Sequence, residues 1–161
     1  MVLDILREEY DKEKQTTQSL DNKAGVFLSA LVVIETVWIQ LVPFKDIVIL
    51  LKQCEYSKLT VISLLLIVLF LLFCFNIVLL IKCLMLKNYS AVNMDSIITE
   101  SRKNTAGIDY MNAVIDHYNI ILHDNIPLNQ KKSEYLKKSI KVFGVYSVLS
   151  IVILGIVIAI V

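Results

Sequence analysis

Three apolar runs frame the chain. Residues 24–42, 59–81 and 142–161 are almost free of charge. As helices rising about 1.5 Å per residue, each approaches or exceeds the length that crosses a hydrocarbon core of about 30 Å. The first run ends at Pro43, which cannot extend a helical hydrogen-bond ladder, and carries Trp38 near that end, where an indole favours the interface. The second is followed directly by Lys82 and Lys87. The third is rich in Val and Ile and carries Gly144 and Gly155, small residues that let helices approach.

The intervening segments are polar and helical in period. Residues 1–23 read as an amphipathic helix, with Leu3, Leu6, Tyr10 and Leu20 on one side and Glu8, Glu9, Asp11, Lys12, Glu13 and Lys14 on the others. It either extends the first run into water or serves as an oligomerisation helix. Residues 43–58 form a short loop in which Phe44–Gln53 has the spacing of an interfacial amphipathic helix, too short to span. Residues 82–141 form a helical insert. Within it Met94–Lys103 and Ala106–His123 are predicted helices, the second with a stripe of Ile108, Met111, Ile115, Tyr118 and Leu122. Asn125-Ile126-Pro127 reads as a turn, and a further helix from Leu128 runs into the third apolar run.

Composition supports an all-α membrane protein with three transmembrane helices and a helical cytoplasmic insert between spans two and three. The hydrophobic share is 57%, the mean hydropathy is +0.68, and only 4 Gly and 2 Pro interrupt 161 residues. The net charge of +1 gives no reason to expect a nucleic-acid duplex as partner. Of the 16 basic residues, 43–58 holds only Lys45, Lys52 and Lys58 and the rest lie in 1–23 and 82–141, an excess that places the N-terminus and the insert in the cytoplasm and the last residue outside. The charged first twenty residues do not read as a secretory signal.

Enzyme motifs are absent. No GxSxG, HExxH or phosphate-binding glycine loop occurs, and the chain is read as a non-enzyme. His117 and His123 are six apart, off the shared helix face that a metal pair needs, and read as surface residues; Cys54, Cys74 and Cys83 have no metal spacing. Glu35 is the anomalous residue. A carboxylate in hydrocarbon costs about 2.5–3.5 kcal/mol on insertion scales, so it lines a path, meets a subunit or lies near the outer boundary. Asn76 offers an interhelical hydrogen bond by the same logic. Asp21, Asn22, Lys23, Ala24 and Gly25 stand where the first run begins; Asp21 or Asn22 is expected to cap a helix and Lys23 to snorkel.

LDNKAGVFLSALVVI, two close-spaced spans, and a basic helix NQKKSEYLKKSIKVFGVYSVL entering a last span together resemble the small transmembrane effectors of bacterial antiphage defence, of the Pycsar transmembrane-effector and SLATT kind. In that group a D-x-K-A-small motif begins the first span, and Asp21, Lys23, Ala24 and Gly25 match it. The resemblance implies a multi-pass inner-membrane protein that forms homo-oligomers and disrupts the membrane. Its control would be a cyclic nucleotide made by a neighbouring cyclase or polymerase. The chain departs from such systems in lacking a separate nucleotide-binding domain, so the insert would hold the ligand. Arg102, Lys103, Asn104, Lys131 and Lys132 are the candidates, since phosphate recognition wants cationic and amide donors; a positive-inside collar explains the same charges. No cofactor is implied. The expected mechanism moves Leu128–Ile140 against Ala106–His123 and tilts the third span, with Glu35 gating ions. The competing reading is a membrane scaffold or accessory subunit without a pore, docking a partner through the insert.

Overall fold

The computed structural model describes residues 2–86 and 107–161 and, between them, Thr99; of Ile108 and Asp109 only the backbone is described. These residues form four helices: α1 (Val2–Leu41), α2 (Phe44–Lys52), α3 (Tyr56–Met85) and α4 (Gly107–Ile160). Three of them, α1, α3 and α4, are long and apolar enough to cross a membrane.

Burial follows steps of three and four along each long helix. On α4 the buried or half-buried series is Tyr118, Leu122, Asn125, Asn129, Lys132, Leu136, Ser139, Phe143, Tyr146, Ser150, Ile153 and Val157. On α3 it is Ile62, Leu66, Leu69, Phe73, Asn76, Leu80 and Cys83. On α1 it runs from Tyr10 through Thr17, Leu20, Ala24, Phe27, Leu31 and Ile34 to Trp38. A mean step of about 3.5 keeps one seam facing its neighbours when helices supercoil left-handedly.

The contacts fix direction. Asp21 meets Lys132 and Glu35 meets Tyr146, each pair 111 positions apart, so α1 and α4 run parallel. Cys83 meets Lys132 and Asn76 meets Ser139, so α3 runs against them. Beyond Cys83 the described bundle continues as a two-helix arm in which the rings of Tyr10 and Tyr118 pack edge to face at 5.8 Å. At the other end α2 lays Leu50 against a core of Trp38, Val42, Ile62 and Ile153.

The three apolar helices, the stop before Pro43 and the short helix after it agree with the sequence reading. Other expectations are corrected. No cap forms at Asp21 or Asn22, because α1 passes through them without a break. This continuity matches the reading of residues 1–23 as an extension of the first run. Asn125-Ile126-Pro127 is not a turn, because Pro127 lies inside α4. Asn125 and Asn129, both buried, flank it, and Asn129 ties that stretch of helix to Glu13 and Thr17 of α1. Residues 107–123 and 128–140 therefore belong to one helix, not to two helices packed against each other. Met111 of the predicted stripe is exposed, while Val114 and Ile121 are buried. Met94–Lys103 falls outside the described residues apart from Thr99. Gly25, Gly144 and Gly155 have nothing within 4 Å of an added Cβ, so no close helix approach within the chain depends on them.

Pro127 removes the N–H that would bond the His123 carbonyl, and an interior proline costs a helix about 3 kcal/mol against alanine. Pro127→Ala is expected to raise stability by about 1–3 kcal/mol in thermal unfolding of the detergent-solubilised protein. An unchanged or lower midpoint would show that α4 is distorted there to suit the proline.

Candidate functional site

The interior carries polar groups at a regular interval. Tyr118, Asn125, Lys132, Ser139 and Tyr146 recur every seven residues on α4, and Asn125, Lys132, Ser139 and Tyr146 are at most 1% exposed. Each of the last three meets a polar partner on a facing helix, giving rungs about 10.5 Å apart by helical rise.

The lowest of these three is ionic. Lys132 Nζ donates to Asp21 Oδ1 at 2.7 Å, with the lysine side chain 1% exposed and the aspartate 38%. Ala24 lies beside it, fully buried with Leu20, Leu80, Cys83 and Leu136. The Cys83 thiol faces the Lys132 carbonyl at 3.5 Å. Burial pushes that thiol up; the Lys132 charge opposes the shift and Asp21 adds to it. Cys83 is therefore expected to alkylate far more slowly than exposed Cys54 at about pH 8. Mass-spectrometric mapping after a short maleimide pulse checks this, and equal labelling would mean the bundle opens there.

The middle rung joins α3 to α4. Ser139 Oγ donates to Asn76 Oδ1, and both residues are fully buried. The Asn76 amide nitrogen has no hydrogen-bond partner among the described residues. The third rung returns to α1, where the Tyr146 hydroxyl donates to the Glu35 carboxylate. One turn further, Trp38 Nε1 donates to the Ser150 carbonyl at 3.0 Å. In the arm, Asn129 Nδ2 donates to Glu13 Oε2 at 2.6 Å and its Oδ1 accepts from Thr17 at 2.7 Å.

The sequence candidates are thus distributed unevenly. Asp21, Ala24, Glu35, Asn76 and Lys132 all join interior contacts. Asn22, Lys23 and Lys131 are exposed, and Gly25 is half-buried. Arg102, Lys103 and Asn104 lie outside the described residues. Glu35 and Asn76 occupy separate rungs, on Tyr146 and Ser139. His117 is half-buried, not a surface residue, with no hydrogen-bond partner for Nε2 among the described residues; His123 is exposed. Sequence reasoning misses Asn129, Ser139 and Tyr146. The seven-residue recurrence on α4 is the signal that could find the last two.

No protein-family model, curated protein or solved structure matches the chain.

Proposed function

We propose that the chain is an inner-membrane effector of antiphage defence, with its N-terminus in the cytoplasm. It assembles with copies of itself and impairs the membrane under control of a cyclic-nucleotide-type signal. The observation that carries this reading is the continuity of α4. One helix of 54 residues, about 80 Å at helical rise, joins the polar arm to the apolar bundle and is clasped to α1 in both. A force on the arm reaches the membrane part along one helix, through the turn that holds Pro127. The defence role and the nucleotide rest on the resemblance at Asp21, Lys23, Ala24 and Gly25 and in the basic helix.

One observation favours a scaffold instead. Glu35, the candidate for an ion path, is taken up by Tyr146 of the same chain. The deciding experiment is membrane potential in living bacteria, with the protein induced alone and then beside a neighbouring cyclase or polymerase gene. Depolarisation that depends on the neighbour supports the effector and gives the sign of control. A protein present in the membrane that causes none under either condition is a scaffold.

A further inference from the structure

We propose that six lysines encircling the bundle form a docking surface for anionic lipid headgroups: Lys23 on α1, Lys82 on α3, and Lys131, Lys137, Lys138 and Lys141 on α4. The inference rests on the reading of α1, α3 and α4 as membrane spans. All six side chains are exposed. The bundle register sets Lys23 and Lys82 near the level of Lys131, with Lys137, Lys138 and Lys141 up to about 12 Å further toward the apolar end. Asp21 and Cys83 both lie opposite Lys132, which sets Lys23 and Lys82 level with the basic stretch of α4. Lys131 to Lys141 covers about 15 Å along the axis, against a headgroup layer of about 5–7.5 Å, so the deeper lysines reach the phosphates by extending their stems.

The charge pattern separates an inner use of lysine from an outer one. In the run 131–141 only Lys132 turns inward, and Asp21 neutralises it. The outward lysines make no ion pair with a described residue, and Lys82 only lies over the Tyr135 ring at 6.0 Å. Within 131–141 Glu134 is the one acid. A single soluble phosphate would want these cations to converge. They diverge instead from three helices, and a layer of lipid phosphates offers partners around the whole circumference. Apolar residues begin immediately beyond Lys23 and Lys141 and precede Lys82, so each stem can lie along the acyl boundary with its ammonium at the phosphates.

The test uses the full-length protein in bilayers of phosphatidylcholine with trace spin-labelled lipid, after a carbonate wash. Release by the wash would show that the chain does not span, and the collar fails with that reading. Retained protein is expected to immobilise labelled phosphatidylglycerol about fivefold more strongly than labelled phosphatidylcholine. That preference should disappear in Lys137→Gln/Lys138→Gln/Lys141→Gln, persist in the matching arginine variant, and shrink in about 0.5 M sodium chloride. Equal immobilisation of the two lipids, or a preference untouched by the glutamine substitutions, overturns the proposal. So does displacement by inorganic phosphate beyond that of sodium chloride at equal ionic strength, which would mark a discrete anion site.

Discussion

Asp21→Ala is expected to destabilise the protein by about 3 kcal/mol, out of proportion to a residue that is 38% exposed on its side chain. The cost lies in what is left behind. Lys132 is 1% exposed and would keep its charge in the interior without a counterion. Stranding one member of a buried pair costs about 3–5 kcal/mol, and water reaching the Asp21 side puts this case at the low end. Replacing both, as Asp21→Ala/Lys132→Met, removes the stranded charge and is expected to recover most of the loss. Thermal unfolding in detergent reads both values. If the single variant melts with the parent, or the double no better than the single, the pair does not hold α1 to α4.

Tyr146→Phe is expected to cost about 2 kcal/mol, more than Glu35→Gln does. The phenylalanine leaves the Glu35 carboxylate in an apolar stretch without its donor, and hydrogen bonds to charged groups contribute about 1.5–3 kcal/mol. The glutamine amide still accepts from the tyrosine hydroxyl and carries no charge to strand. The two variants also separate the roles of Glu35. If Glu35 holds α1 against α4, Tyr146→Phe should alter toxicity at equal expression at least as much as Glu35→Gln. If Glu35 carries ions, Glu35→Gln alone should change conductance. Toxicity unchanged by either substitution would remove this rung from the mechanism.

Much of this architecture is legible locally, and what is not has a common cause. Apolar run length marks α1, α3 and α4, and Pro43 marks the end of the first, because hydropathy and proline act within one segment. Asp21 misleads because its partner lies 111 residues away; near its own neighbours it looks like a cap. Pro127 misleads for a related reason. The preference against proline is a local penalty of a few kcal/mol, and buried contacts on either side override it. In NQKKSEYLKK, Lys131 and Lys132 are chemically alike. Only helical phase, read from the seven-residue recurrence through Asn125, Ser139 and Tyr146, assigns one to the surface and the other to the interior. Glu35 is conspicuous in sequence as a charge in the wrong solvent, yet nothing near it announces a tyrosine as partner.

The shared register of α1 and α4 limits how the protein can be lengthened. Two parallel helices joined at Asp21–Lys132 and Glu35–Tyr146, fourteen residues apart on each, along a seam of seven-residue period tolerate an insertion only when both receive it and only in whole repeats. Seven residues added to both helices in the arm would move its tip outward by about 10 Å and leave every pairing intact. Seven added to α4 alone, between Asn129 and Lys132, would preserve the rungs above while setting Asn129 against the wrong turn of α1. Reach is thus a freely adjustable property of this design, whereas phase is not, and chimeras grafting a foreign sensor onto the arm should be cut in multiples of seven.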